Sequence, residues 1–130
     1  MKKSLCFIIL CLLLISCKKV EKEPLGPTDI RIRNLSTAVM SELTVNTGGG
    51  EFNFGTLNGG ETTDYHRFDE AYPKANITAI VNGQKYKTDT AVYTYMQYLG
   101  TIKATYEIFI KSDAQKKLEI SNVILESDLK

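Results

Sequence analysis

Polar and apolar residues alternate along most of this chain. From Thr28 onward the period is two. Ile30 and Ile32 alternate with Arg31 and Arg33, and Leu43 and Val45 alternate with Glu42 and Thr44. Phe52 and Phe54 flank Asn53. Ile77, Ala79 and Val81 lead into Asn82-Gly83, after which Tyr86 alternates with Lys85 and Lys87. Ile102, Ala104, Tyr106, Ile108 and Ile110 form the longest alternating set, and Leu118 to Leu125 the last. Side chains on a strand point to opposite faces in turn, so this pattern predicts half-buried strands. Asn-Gly between two alternating runs predicts a hairpin, because both residues tolerate the positive φ of a type I′ turn. Gly48-Gly49-Gly50, Asn58-Gly59-Gly60, Gly100 and Ser112 to Gln115 mark further turns. No segment holds a 3.6 period long enough to predict a helix.

Seven or eight short strands with frequent turns predict an all-β domain. The expected form is an antiparallel β-sandwich of Ig-like or transthyretin-like architecture, with a small closed barrel as the alternative. The Cys–Trp–Cys core of true immunoglobulin domains has no counterpart, since the chain contains no Trp.

The first residues follow a different rule. Lys2 and Lys3 precede an uncharged apolar run from Leu5 to Ile15. As a helix that run reaches only ~16 Å, against ~30 Å for a bilayer core. It reads as the h-region of a secretory signal rather than as a membrane span. The 43% hydrophobic content of the chain therefore describes two objects, and without residues 1–16 it falls to about 39%.

Leu14-Ile15-Ser16-Cys17 resembles the lipobox of bacterial lipoproteins. That resemblance implies cleavage between Ser16 and Cys17, with diacylglycerol on the Cys17 thiol and a further palmitate-type chain on the freed amine. Two or more chains make a stable membrane anchor where one would be marginal. Residues 1–16 are then the signal peptide, residues 17–27 a lipidated cysteine with a flexible tether, and residues 28–130 the β domain. The tether reads KKVEKEPLGP after Cys17, charged and carrying two prolines and a glycine. Cys6 and Cys11 leave with the signal and Cys17 is taken by lipid. The exported domain has no thiol for a disulfide, a metal or nucleophilic catalysis.

A second resemblance covers most of residues 28–125. Phe54 to Ile77, FGTLNGGETTDYHRFDEAYPKANI, is similar to a pattern in small uncharacterised envelope lipoproteins of bacteroidete-type bacteria. Arg33-Asn34-Leu35-Ser36 and Tyr93 to Ile110 fit it too. It implies the fold and an envelope location only, and carries no activity.

Charge narrows the partners. Sixteen basic and 15 acidic residues leave the chain at +1. Residues 28–130 carry 11 basic and 13 acidic residues, with no polybasic face to neutralise phosphates, so nucleic acid is not an expected partner.

Catalytic chemistry finds little footing. His66 is the single histidine, too few for a zinc site of three or four His or Cys ligands. It reads as a surface strand residue. Ser36, Ser41, Ser112, Ser121 and Ser127 are formal nucleophiles, but none lies in a nucleophile elbow. Asp69 and Glu70 would point to opposite faces of a strand, and Glu61 with Asp64 lacks the ligand density of a calcium loop. Gly48-Gly49-Gly50 lacks the Lys and Ser/Thr of a phosphate loop and reads as a flexible hairpin turn. No catalytic residue, metal ligand or cofactor is expected.

The binding candidates are Tyr93, Tyr95, Met96 and Tyr98. Exposed together before Gly100, they would form an aromatic patch for a glycan or another envelope protein. The alternative places Tyr93 and Tyr95 on one strand face, covering the core edge. Asp89-Thr90-Ala91 resembles the short acceptor for O-glycosylation in bacteroidete envelopes, which makes Thr90 a modification candidate. Asn34-Leu35-Ser36 and Asn76-Ile77-Thr78 fit the N-glycan acceptor pattern, whose machinery a bacterial lipoprotein signal does not imply.

The expected protein is a lipid-anchored, non-catalytic binding, adaptor or structural module of the cell envelope, on the outer membrane. A carrier or carbohydrate-binding accessory domain is the first alternative, and a small hydrolase the second. Exposed tyrosines at one end of the domain would favour the carrier. A pocket joining His66 to carboxylates would favour the hydrolase.

Overall fold

The computed structural model describes residues 24–126. Cys17, Ser16 and the signal segment lie outside the described residues. Eight strands follow one another: β1 Thr28–Asn34, β2 Ser41–Asn46, β3 Glu51–Asn53, β4 His66–Phe68, β5 Asn76–Val81, β6 Gln84–Lys87, β7 Lys103–Ser112 and β8 Lys117–Leu125. The all-β expectation is met, and none of the described residues forms an α-helix.

The pairing departs from the expected antiparallel sandwich. All eight strands join one sheet in the order β3-β2-β5-β6-β8-β7-β1-β4. Two of its seven pairings are parallel, β1 with β7 and β6 with β8. The first is extensive, running from Asp29 against Lys103 to Asn34 against Ile108. The second is a single pair, Lys87 with Lys117. Alternation reports which face a side chain occupies, not which neighbour lies alongside or in which direction. The sheet curls until its edge strands, β3 and β4, meet through their side chains. Phe52 of β3 stacks on His66 of β4 with ring centroids 3.6 Å apart and planes 8° from parallel. The result is nearly a barrel.

The inward faces are those the alternation predicts. Ile30, Ile32, Leu43, Val45, Ile77, Ala79, Val81, Ala104, Tyr106 and Ile108 are all buried in one core. The β5–β6 hairpin turns at Asn82 (φ 50°) and Gly83 (φ 76°), both positive as a type I′ turn requires. Phe52 is the exception among the alternating aromatics. It is 36% exposed and packs on the seam rather than in the core.

The seam's other strand is tied to β1 by charge. Arg67 donates two hydrogen bonds to the Asp29 carboxylate, at 2.9 and 3.2 Å. This hydrogen bonding holds the Asp29 carboxyl below the usual carboxylate range. A depressed folded-state pKa adds stability above the unfolded value of about 4, and that stability is lost as pH falls through the folded value. Arg67 is largely exposed, so solvent screening keeps the contribution small. Arg67→Gln should flatten the loss of urea stability between pH 5 and pH 2.5, and adding salt should do the same to the parent. An unchanged acid limb in Arg67→Gln would show that the pair contributes nothing.

Candidate functional site

Residues 88–102, which contain no strand or helix, run from beside the β7–β8 hairpin, where Asp89 meets Lys117, to the mouth of the barrel at the start of β7. Polar contacts hold this segment at intervals. Asn76 Oδ1 accepts from the Ala91 N–H (2.8 Å), Ala71 O accepts from the Leu99 N–H (2.8 Å), and Ile102 O accepts from the Asp29 N–H (3.0 Å). The segment thus crosses from β5 to β1 and β7. Residues 24–27, from the stretch read as tether, lie against the last residues of this segment at that mouth. Thr101 Oγ1 donates to Gly26 O (3.1 Å). A side chain on Gly26 would start 2.0 Å from Asp69 O, so only glycine permits this approach.

The four patch candidates separate here. Tyr93 is half-buried, stacks on Tyr72 with centroids 4.6 Å apart, and donates its hydroxyl to Asn46 O. Burial raises its phenol above the ordinary range. The Tyr93 ring lies where a side chain on Gly48 would otherwise sit, at 2.9 Å. The Gly48–Gly50 turn is therefore packed from both sides, since Gly49 is pressed still more closely on Glu70. Tyr95 is fully exposed and has φ 66°. It sits third in a turn closed by the Met96 N–H on Tyr93 O (2.9 Å). Tyr93 and Tyr95 consequently share no strand face, and neither expected arrangement of the pair is found. Met96 and Tyr98 are half-buried.

A non-glycine residue at positive φ carries a steric cost, and a fully exposed side chain gains no packing to offset it. Tyr95→Gly should raise stability by up to about 1 kcal/mol. The urea midpoint measures this, and a lower midpoint would mean that the Tyr95 ring packs on the domain.

Beside the same segment lies a cleft of ≈300 Å³, at the lower end of volumes that hold small ligands. Thr90, Val92 and Met96 of the segment line it, with Lys74, Lys111, and Glu119 and Ile120 of β8. Thr90 is exposed. Its neighbour Asp89 bonds to Lys117, and that contact holds the Asp89 carboxyl below the usual range.

A second cleft, ≈430 Å³, joins His66 to Glu61 and Asp64 and includes Phe52 and Phe54. This is the association named above for a hydrolase, and His66 and Glu61 both have partners within the fold. The His66 ring is sandwiched in the aromatic seam, against Phe52 and edge-on to Phe68. Glu61 accepts from the N–H and the Nδ2 of Asn58, closing the 58–61 turn. The Thr63 hydroxyl accepts from the Ile32 N–H (3.0 Å) and donates to Asp64 O (2.8 Å). No serine lines the cleft. Among the described residues no three His, Cys, Asp or Glu groups converge as metal ligands. Of the N-glycan patterns, Asn34 is buried and its Nδ2 is donated to Ala38 O and Leu57 O, which leaves no free amide for a sugar.

Sequence reasoning did not find the docking of residues 24–27 on the mouth. The two prolines and the glycine signalled a linker, and nothing local to them signals the Asp69 and Thr101 contacts made across the fold.

An NMR structure of a protein from Eubacterium rectale is similar to this chain, with a TM-score of 0.53 and 17% sequence identity over 74% of this chain and 89% of that one. At that identity the likeness shows the fold alone. No protein-family model matches the chain, and no curated protein matches it.

Proposed function

We propose that this chain is a lipid-anchored protein of the bacterial cell envelope, acylated at Cys17 and held on the outer membrane. Its β domain acts as a non-catalytic binding module. The charged n-region, the 11-residue apolar run and Leu14-Ile15-Ser16-Cys17 support the anchor. The observation that carries the binding reading is Tyr95, presented to solvent at positive φ beside a ≈300 Å³ cleft. An exposed aromatic retained in a costly conformation points to a contact made with something outside the domain. A glycan or another envelope protein fits the cleft, whose lining mixes apolar Val92, Met96 and Ile120 with charged Lys74 and Glu119. Carbohydrate-accessory and carrier roles both use such a site. Thr90, exposed at its rim, is the proposed O-glycan acceptor.

The intact mass of membrane-extracted protein tests the anchor. It should equal residues 17–130 plus acyl groups, and Cys17→Ala should accumulate as an uncleaved precursor. Hexose-sized increments lost in Thr90→Ala would mark glycosylation. An unmodified Cys17 in the membrane fraction would overturn the anchor. Crosslinking in intact cells followed by purification should capture a partner that Met96→Lys loses. Equal capture by both proteins would count against the cleft.

A further inference from the structure

The ≈300 Å³ cleft lies where a strand pairing stops early. Strands β6 and β8 run parallel, and Lys87 with Lys117 is their single pair, marked by the Lys87 N–H on Lys116 O (3.1 Å). After Lys87 the chain makes no further pair with β8 and is held by β5 instead. The Thr88 N–H donates to Ile77 O (2.9 Å), the Thr88 hydroxyl to Ala75 O (3.2 Å), and the Ala91 N–H to Asn76 Oδ1 (2.8 Å). The gap this leaves is the cleft, lined by Thr88 to Val92 and by Leu118 to Ile120 of β8.

Backbone groups alternate between the two edges of a strand. Those of Leu118 and Ile120 therefore turn to the same side as Lys116 O, whereas those of Glu119 face β7. Among the described residues no backbone group pairs with Ile120 on that side. An edge with unpaired N–H and C=O groups is a template for another extended chain. The template is short. Strand β7 pairs Ile108 with Ile120 and Glu107 with Asn122, which leaves Ser121 unopposed. Such a bulge bends the strand, so the regular edge spans about 7 Å, from Leu118 to Ile120.

Charge selects among extended chains. Lys117 contacts Asp89, Lys111 lies 3.7 Å from Glu119, and Lys74 makes no ion pair among the described residues. Three lysines thus meet two carboxylates, an excess that suits an acidic side chain. Resting on the reading of this cleft as a binding site, we infer that its occupant is an extended acidic segment of another protein, added as a strand to the β8 edge at Leu118 to Ile120. Main-chain hydrogen bonds to Ile120 hold the segment, and Lys74 sets the preference for Asp or Glu. A glycan offers hydroxyls but no amide register to match this edge.

Mature protein, extracted full length in detergent, is panned against a random heptapeptide phage library. Selected peptides should carry Asp or Glu among alternating apolar residues. Added to isotope-labelled protein, they should slow exchange of the Ile120 amide about tenfold and leave the Glu119 amide, which faces β7, unchanged. N-methylation of alternate peptide residues should abolish binding in one phase and spare it in the other, a test that needs no variant of the protein. Lys74→Glu should weaken binding about fivefold. Peptides that bind without protecting Ile120, peptides indifferent to N-methylation, or no selected peptide at all overturn strand addition. A sedimenting dimer whose formation protects Ile120 gives the edge to a second copy and overturns the foreign segment. If those results come while Met96→Lys still loses its crosslinked partner in cells, the cleft stands as a binding site and only the strand is lost. Equal capture by both proteins overturns both.

Discussion

Tyr106→Ala should cost about 3–5 kcal/mol, a large part of the 5–15 kcal/mol that holds a domain of this size together. Tyr106 is the largest fully buried side chain, at 0% exposure in the middle of β7. Its position follows from the register. Tyr106 pairs with Ile32 on one side and with Val123 on the other, so β1 and β8 both close over it. Its hydroxyl donates to Tyr72 O, and the Tyr72 ring stacks on Tyr93. Burial pushes its phenol above the ordinary range, which favours the neutral, donating form. Alanine removes the ring and leaves a cavity between three strands. Tyr106→Phe keeps the ring and leaves only Tyr72 O without its donor, at about 1–2 kcal/mol. Urea unfolding of the three proteins separates the two contributions. A loss below 1 kcal/mol for the alanine variant would mean that the core collapses into the space, against the close packing described here.

The faces of the strands were legible because burial on one side imposes a period of two, and β1 shows it without a break. Thr28, Ile30, Ile32 and Asn34 are buried, while Arg31 and Arg33 point outward. The Asn82-Gly83 hairpin was legible because its chemistry is local. The partnership of β1 with β7 was not, since the residues it joins are more than 70 positions apart and either strand direction buries the same side chains. The nearly closed sheet stood only as the alternative to the sandwich for a related reason. Its closure rests on Phe52 meeting His66, a side-chain contact between two three-residue strands.

The candidate site was legible in location and not in arrangement. Tyr93, Tyr95, Met96 and Tyr98 do fall in one irregular segment before Gly100. Their spacing of two suggested a common face for Tyr93 and Tyr95, but a period of two has that meaning only on a strand. Here the turn at Tyr95 reverses the chain, sending Tyr93 inward and Tyr95 outward. The triple glycine misled in a similar way. Its composition suggested flexibility, whereas Gly48 and Gly49 are small because Tyr93 and Glu70 are packed against them.

Asn34→Ala should cost about 2–4 kcal/mol, although it removes no apolar surface of any size. Asn34 occupies the fourth inward position of β1, where the alternation calls for an apolar residue. Its side chain is fully buried and every polar atom is used. Nδ2 donates to Ala38 O (2.8 Å) and Leu57 O (3.4 Å), and Oδ1 accepts from the Ser36 N–H (2.9 Å) and Oγ (2.6 Å). Its backbone is paired as well, with Glu61 O and the Gly60 N–H. One amide thus fixes the loop after β1 and the segment before β4 to each other. Truncation strands several buried groups at once, and each unsatisfied group costs about 1–3 kcal/mol unless water reaches it. Asn34→Asp sharpens the test. The carboxylate can still accept from Ser36, but it faces two carbonyl oxygens with nothing to donate, and burial disfavours its charge. Its folded-state pKa is raised, so this variant should gain stability on acidification, opposite in sign to the Asp29 effect. Urea midpoints at pH 7 and pH 4.5 measure both. An Asn34→Asp protein as stable as the parent at pH 7 would show that water enters this end of the barrel and that the network is not what closes it.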